Sequence, residues 1–179
     1  LCPDKINTAQ WLEVMEAAHG VGFNTTATIM YGHIEQYEHV ARHLLRVRAL
    51  QEKTGGFTEF VILPFIHMEA PIYLKGNARK GPTFREAILI HAIARLTLNP
   101  VFKNIQASWT KLGHEGVKAC LNAGVNDIGG TLMNETITRA AGAAHGQETS
   151  PEEMEALIRS AGRNPRQRAT NYGVVPEVQ

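Results

Sequence analysis

The fold class is decided by residues 104–135, which read NIQASWTKLGHEGVKACLNAGVNDIGGTLMNE. Their pattern predicts a short strand at 105–110, a helix at 116–122 and a second strand at 125–128. Gly124 stands where a glycine commonly ends a helix, and a double glycine follows the second strand. Two strands joined by such a helix form a parallel unit, in which ligands bind beyond the carboxyl ends of the strands.

Strands and helices also alternate upstream of this unit. Asn7 or Thr8 caps a first helix, and a strand rich in threonine and β-branched residues follows at 23–31. A long amphipathic helix at about 34–53 leads to a second strand at 57–65. This strand is almost wholly apolar, as expected of a strand that is covered on both faces.

Further helices surround the central unit. The loop at 66–82 is long, and loops of more than about 12–15 residues are usually functional. A capping box, Thr83 with Glu86, then starts a helix that runs to about residue 98. A short helix is expected at 134–141, directly after the double glycine, and Ser150 caps a last helix.

Four strands, each followed by a helix, indicate parallel strands with the helices outside. We therefore predict an α/β fold: the C-terminal half of a TIM-type (β/α) barrel, with about four parallel strands, outer helices, and a C-terminal helix and tail. Residues 1–142 would form the barrel portion, and residues 143–179 the helix and tail that pack on it. Because half a barrel leaves strand edges unpaired, we expect the sequence to be the C-terminal portion of a longer protein.

The composition disfavours several classes of partner. The chain carries 18 Lys and Arg against 17 Asp and Glu, so nothing indicates nucleic acid or an anionic membrane surface. Its two cysteines, Cys2 and Cys120, form neither a disulfide framework nor a metal-ligand spacing. No apolar run is long enough to span a bilayer, and a reducing, cytoplasmic setting is expected.

Candidate site residues gather at the predicted carboxyl ends of the strands, where barrel enzymes keep their active sites. Tyr31 and His33 follow the first strand, and a turn that simply begins the next helix is the alternative reading. His67 and Glu69 open the long loop, where they would meet a substrate hydroxyl or amine unless the loop is merely solvated.

The later strands supply the other candidates. Gln106 and Ser108 are polar on a strand that should be enclosed, and buried polar groups need partners, either substrate or other barrel side chains. Asp127 would pair with a substrate amine or cap a turn. The glycine-rich segment before the next helix would receive a carboxylate or other oxygens of a ligand, although a tight turn is its default reading. This segment consists of Gly129, Gly130 and Thr131.

Other charged residues have a simpler interpretation. Glu35, His39 and His43 recur at i, i+4 and i+8, a spacing that can bind a metal, but a solvent-facing stripe is favoured and no metal site is predicted. Arg166 and Arg168 lie in the basic tail, where exposed charges are the favoured reading and an anion clamp is the alternative.

Several long segments together resemble one enzyme family. These segments are YGHIEQ, GGFTEFVILPFIHMEAPIYLKGNARKGPTFREA, NIQASWTKLG, AGVNDIGGTLMNETITRAAGAAHG and RQRATNYG. They are similar to radical S-adenosylmethionine enzymes of deazaflavin-cofactor (FO) biosynthesis, and the resemblance covers nearly the whole chain. It implies a transferase that joins the 4-hydroxybenzyl group of L-tyrosine to 5-amino-6-(D-ribitylamino)uracil, with the other FO synthase subunit as an expected partner.

The resemblance also implies two cofactors, S-adenosyl-L-methionine and a 4Fe-4S cluster. Tyr31 and His33 would contact S-adenosylmethionine, and the other strand-end candidates would contact the substrates. The family's cluster motif, Cys-x3-Cys-x2-Cys, is absent from this sequence. Because such a cluster needs three thiolates, we expect its ligands outside this chain and expect the chain alone to be inactive.

Other functions remain open at this stage. The related menaquinone-pathway (aminofutalosine) enzymes share the YGH and GGT patterns, although the FIHMEAPIYLKG loop favours the deazaflavin branch. A metal-dependent barrel hydrolase would need converging ligands, for which only His33, His67 and Asp127 are available at strand ends. A non-catalytic binding module is the third alternative, because the cluster motif is missing.

Overall fold

The computed structural model describes residues 3–132, 134–143, 148–173 and 175, which form an α/β fold. The first half contains helix α1 (Thr8–Gly20), strand β1 (Thr25–Tyr31), helix α2 (Tyr37–Thr54) and strand β2 (Phe57–Pro64). The second half contains α3 (Pro71–Leu74), α4 (Phe84–Leu98), β3 (Ile105–Ala107), α5 (Trp109–Asn122), α6 (Ile137–Ala140) and α7 (Pro151–Ser160).

The strands form one parallel sheet in the order β1-β2-β3. Strand β1 pairs with β2 along its whole length, from Thr25 opposite Phe57 to Tyr31 opposite Pro64. Strand β3 adds three residues on the other side of β2. Parallel neighbours need crossover connections, which α2 and α4 provide, so the prediction of parallel strands connected by helices is confirmed.

The predicted fourth strand is reduced to a single bridging residue. Asp127 pairs with Gln106 in an isolated parallel bridge, and its carbonyl accepts a 3.0 Å hydrogen bond from Ala107 N. Immediately afterwards the Asp127 side chain binds the amide of Gly129, whose φ of +78° turns the chain away. The prediction of four strands was therefore wrong, because this side-chain bond competes with the sheet ladder for the backbone.

Strand β3 is also shorter than predicted, because a helix begins where we expected its last residues. The carbonyl of Ser108 accepts hydrogen bonds from the amides of Lys111 and Leu112 at 3.2 and 3.0 Å, which closes the first turn of α5. Gly113, with φ 66° and ψ 176°, then interrupts α5. Ser108 thus lies at the end of the strand rather than within the sheet.

Local helix signals agree with the structure. The predicted Thr83–Glu86 capping box is present, with the Thr83 hydroxyl accepting from the Glu86 amide. Ser150 caps α7 in the same way, and Asn7 caps α1. Each such cap stabilises its helix by about 1 kcal/mol.

The two faces of the sheet differ. One face packs on the helices, and its buried side chains include Ala27, Phe60, Ile62, Ile105 and Ala107. The other face carries Thr26, Thr28, Glu59, Gln106 and Asp127, and we call it the open face. Thr26 and Thr28 are exposed there, because none of the described helices covers β1 on this side.

The C-terminal helix α7 joins the same hydrophobic core. Met154 and Ala161 are buried in it, and Leu157 and Ile158 pack against it. The predicted boundary between 142 and 143 adjoins residues 144–147, which lie outside the described residues. No helix in the described part of the chain has both the length and the apolar character needed to cross a membrane.

Candidate active site

A polar network on the open face centres on Asp127. One carboxylate oxygen, Oδ1, accepts hydrogen bonds from Gly129 N at 2.7 Å and from Gln106 Nε2 at 3.2 Å. The other, Oδ2, accepts from Arg168 Nε at 2.5 Å and from the Tyr172 hydroxyl. The side chain of Asp127 is only 6% exposed, so four donors surround a buried carboxylate.

Two members of this network come from the C-terminal tail, which returns to the sheet. Arg168 lies 3.5 Å from Glu59 Oε2 on β2, and its guanidinium stacks 4.1 Å from the centre of the Tyr172 ring. Tyr172 has a positive φ of 63°, a conformation that costs about 1–2 kcal/mol for a residue with a side chain. Its bonded hydroxyl and stacked ring offset that cost.

The electrostatics keep Asp127 ionised. Burial alone would raise its pKa, but the hydrogen bonds from Arg168, Tyr172 and Gly129 outweigh burial and hold the pKa below its usual value. Burial, followed by the hydrogen bond to Asp127, raises the pKa of Tyr172. At neutral pH Asp127 is therefore a pure hydrogen-bond acceptor, with no proton to donate to a substrate.

A second network ties the loops that follow β1 and β2. The carboxylate of Glu35 accepts from the amides of Gly32 at 2.6 Å and His33 at 2.9 Å. Arg79, from the long loop, lies 3.2 Å from Glu35 and 2.8 Å from Glu86 at the start of α4. Arg79 therefore fastens the long loop to both neighbouring elements.

The carboxylates of this second network also remain charged. Burial would raise the pKa of Glu35, but the amides of Gly32 and His33 and the Arg79 guanidinium lower it overall. The Thr83 amide is the main cause of a lowered pKa at Glu86. The two carboxylates and Arg79 thus form a fixed ionic brace at the carboxyl end of the sheet.

The structure separates the two residues predicted to contact S-adenosylmethionine. Tyr31 is 2% exposed and packs in the core on the helix side, where its hydroxyl has no hydrogen-bond partner among the described residues. Burial raises its pKa. His33 lies in the loop, half-buried, with its ring edge-on to Phe65 at 5.8 Å. Of the two, only His33 is accessible.

The bonding of His33 defines its neutral tautomer. Its Nδ1 accepts a 2.7 Å hydrogen bond from the amide of Ile34, so the ring proton resides on Nε2. The same Nδ1 lies 3.3 Å from a Glu35 oxygen, but that contact would need a proton that the Ile34 bond excludes. His33 can therefore donate to a ligand through Nε2.

The two candidates in the long loop have structural contacts. His67 packs edge-on against Tyr73 at 4.6 Å. Glu69 is exposed, and its amide donates a 3.2 Å hydrogen bond to the carbonyl of Ala141, which joins the long loop to the segment after α6. This loop is therefore folded against the rest of the chain, and it contains the short helix α3.

The glycine-rich segment does not lie at a helix start. Residues 128–132 have no regular secondary structure, and α6 begins only at Ile137. The short helix predicted at 134–141 is present as α6, but the expectation that the double glycine opens it was wrong, so Gly129, Gly130 and Thr131 have no helix dipole to attract an anion. Trp109 instead fixes the segment by donating a 3.0 Å hydrogen bond to the Gly130 carbonyl.

Ser108 also bonds within the chain, through a 3.0 Å contact between its hydroxyl and that of Thr110. The structure thus brings Gln106, Asp127 and Gly129 together on the open face, while His33 belongs to the brace at the strand ends.

A cavity of about 440 Å³ opens at the other end of the sheet, between β2, β3 and the tail. It is lined by none of the predicted site residues.

The metal-ligand spacing noted in the sequence does not produce a site. Glu35 precedes α2 and binds backbone amides, whereas the His39 ring accepts a 3.0 Å hydrogen bond from Gln36 N. His43 packs against Phe60. In the part of the chain that the structure describes, no three His, Cys, Asp or Glu side chains lie together as a possible metal site. This holds for His33, His67 and Asp127, the ligands that a barrel hydrolase would need.

The cysteines of this chain do not fit an iron–sulfur cluster. Cys120 is buried in the core, where burial raises its pKa to about 12 and keeps it a thiol. Cys2 lies outside the described residues. A cluster of this kind needs three thiolates, and the sequence contains two cysteines.

Comparison with known proteins identifies the family of this chain. Residues 54–179 match the family described as the CofH/MqnC C-terminal region. The chain belongs to this family. It is 49% identical to the 5-amino-6-(D-ribitylamino)uracil–L-tyrosine 4-hydroxyphenyl transferase of Methanothermobacter thermautotrophicus, over 99% of the chain and 48% of that protein.

Other members of the family are equally similar. The transferase of the same name from Methanopyrus kandleri is 50% identical over 96% of the chain and 47% of that protein. The FO synthase of Streptomyces coelicolor is 50% identical over 99% of the chain and 20% of its own length. The chain therefore spans about half the length of the transferases and about a fifth of the FO synthase that it matches.

The sequence identified the family and named Gln106, Asp127 and Gly129 as site candidates, but it did not predict the contacts that the tail makes with Asp127. Arg168 and Tyr172 occupy a segment without periodicity, and the favoured reading of Arg168 as an exposed charge was wrong. The one available signal was the RQRATNYG motif, which carried the resemblance but no physical explanation. Arg166, in contrast, is exposed.

Proposed function

We propose that this chain is part of a transferase that joins the 4-hydroxybenzyl group of L-tyrosine to 5-amino-6-(D-ribitylamino)uracil. One observation carries the proposal: two relatives with 49% and 50% identity across nearly all of the chain are named as 5-amino-6-(D-ribitylamino)uracil–L-tyrosine 4-hydroxyphenyl transferases. The relatives align with 96–99% of the chain, so the matched region includes the open face and the loops, where we infer that substrates bind.

We further propose that the sheet is half of a TIM-type barrel whose other half lies outside these residues. Parallel strands, helices on one face and a polar open face support this arrangement, because barrel interiors of enzymes hold polar groups at the strand ends. The share of the relatives' length that the chain covers also fits half a barrel. Residues 1–142 would form the barrel portion and residues 143–179 the packing helix and tail.

In this proposal the open face and its rim orient the substrates. Gln106 and the turn at Gly129 would lie on the inner wall, and His33 would stand at the rim, where its Nε2–H is available to a ligand as far as the described residues are concerned. The Arg79 brace holds the long loop that carries His67 and so helps to exclude water. Both carboxylate oxygens of Asp127 already accept hydrogen bonds from this chain, so Asp127 would orient its neighbours rather than bind a substrate amine directly.

Radical chemistry would require S-adenosyl-L-methionine and a 4Fe-4S cluster, which supply the reactive species when bound. The thiolate ligands of the cluster would come from residues outside this chain, because Cys120 is a buried thiol. The chain's own contribution is therefore to bind and orient substrates. A cytoplasmic location and the other FO synthase subunit as a partner remain part of this proposal.

The test is product formation by the full-length protein. After anaerobic reconstitution with iron and sulfide, the enzyme is mixed with S-adenosylmethionine, tyrosine and ribitylaminouracil, and the products are analysed by mass spectrometry. We expect a 4-hydroxybenzyl adduct of the pyrimidine, and we expect none from residues 1–179 alone. A full-length enzyme that cleaves S-adenosylmethionine but yields no adduct would refute the assignment.

A further inference from the structure

Gln106 occupies the middle of the open face. It pairs with Val61 of β2 on one side and with Asp127 on the other. Gly129 lies against its amide, since a Cβ on Gly129 would be only 3.7–3.8 Å from the amide atoms. The side chain is half-buried, so it is held between its neighbours and still reaches the surface.

The bonding around Asp127 determines which way the Gln106 amide faces. A glutamine amide has a donating NH₂ group and an accepting carbonyl oxygen. The ionised carboxylate of Asp127 can only accept, so the group 3.2 Å away must be the NH₂ of Gln106. The carbonyl oxygen then faces away from Asp127, and no donor binds it among the residues that the structure describes.

Asp127 itself has no remaining capacity for a ligand. Its two oxygens accept from four donors, two of which are the tail residues Arg168 and Tyr172. The tail thus contacts the open face through Asp127, and its two donors occupy the acceptor sites of Oδ2. An orienting carboxylate of this kind fixes the group that does contact a ligand.

We propose that Arg168 and Tyr172 are positioning residues that act through Asp127 to fix the Gln106 amide, whose carbonyl oxygen accepts a hydrogen bond from an N–H group of a ligand on the open face. The inference rests on the proposed function, which offers two sources of such a group. They are the amino and ring N–H groups of the pyrimidine and the ammonium group of the amino acid.

This arrangement discriminates by hydrogen-bond polarity. A ligand that covers the Gln106 carbonyl oxygen shields it from water, so an analogue without the N–H group would leave this acceptor unpaired and would be rejected. If the amide were free to flip, its NH₂ could serve acceptor ligands as well. The tail would therefore control selectivity as well as affinity.

The experiment measures ligand binding to the full-length protein by calorimetry. Ribitylaminouracil and tyrosine are titrated separately, so that the two sources of the N–H group are distinguished. The variants are Arg168→Met, Tyr172→Phe and Gln106→Leu, and Arg166→Met is the matched control from the exposed part of the same tail. Thermal unfolding of each variant verifies that it is folded.

We expect a roughly tenfold or greater increase in Kd for one of the two ligands in Gln106→Leu and Arg168→Met. The increase should be smaller in Tyr172→Phe and absent in Arg166→Met. In the wild type, the ¹⁵N-labelled side-chain amide of Gln106 should exchange its protons slowly with water, and Arg168→Met should abolish this protection. A purely structural role would lower the unfolding temperature without changing the Kd of the folded variant.

Two results would overturn the inference. The first is that folded Arg168→Met binds both ligands with the Kd of the wild type. The second is that the control Arg166→Met raises the Kd as much as Arg168→Met does. If the full-length enzyme forms the adduct but Gln106→Leu leaves the Kd of both ligands unchanged, the inference fails and the proposed function stands. If ribitylaminouracil binds through Gln106 and no adduct forms, the proposed function fails while the inference holds.

Discussion

His91 should make the protein lose stability in mildly acidic solution. It lies on α4 and is fully buried, and its Nδ1 donates a 2.6 Å hydrogen bond to the carbonyl of Ala87. Its Nε2 has no hydrogen-bond partner within the described residues. Protonation would therefore place a charge and an unsatisfied N–H donor in the hydrophobic core.

The magnitude follows from the pKa. Burial lowers the pKa of His91 from 6.5 to about 4, so the unfolded chain takes up the proton first as the pH falls. The stability that the protein gains from a neutral His91 is fully present above pH 6.5. It is lost as the pH falls from 6.5 to about 4, and below that the loss no longer grows. At ~1.4 kcal/mol per pKa unit the full loss is roughly 3 kcal/mol, and about half of it is reached near pH 5.5.

The assay is urea unfolding followed by circular dichroism at pH 7.5 and 5.5. Burial also lowers the pKa of His19 and His43, so the wild type should lose stability from three histidines. His91→Leu should lose about 1.4 kcal/mol less than the wild type over this interval. His114→Gln, at an exposed position of α5, is the control and should match the wild type. If His91→Leu retains the full acid loss, the burial argument is wrong.

Three further substitutions test individual contacts. Tyr31→Phe should leave the free energy of unfolding unchanged or raise it by about 1 kcal/mol, because it removes a buried hydroxyl without a partner among the described residues; a loss of that size in urea unfolding would show that the hydroxyl is bonded. Arg95→Met removes hydrogen bonds to the carbonyls of Gly124, Phe102 and Lys103 and to the Asn126 side chain, and should lower the free energy of unfolding by roughly 3 kcal/mol. The control Arg85→Met, at an exposed position of α4, should lower it by less than about 0.5 kcal/mol. Similar losses in the two variants would contradict the contacts of Arg95. Arg79→Met should move the pKa of Glu35 up towards its usual value, measured by ¹³C NMR, and an unchanged pKa would show that the backbone amides suffice.

The local elements of this protein could be predicted from the sequence alone. The Thr83–Glu86 capping box and the apolar run of β2 involve residues close together in the chain, so their physics is visible in a short window. The parallel arrangement follows from strands that alternate with helices, because only a crossover can return the chain to the same edge. The family could also be identified, since its motifs are contiguous.

The Asp127 network, in contrast, depended on tertiary structure. Arg168 and Tyr172 meet Asp127 across 41 and 45 residues, and no periodicity or spacing in the tail anticipates such a contact. The same carboxylate binds the Gly129 amide and shortens the fourth strand to one bridge. A side chain's choice between a ligand, a turn and a distant arginine depends on which donors the fold brings within 3 Å, and that proximity exists only once the chain has folded.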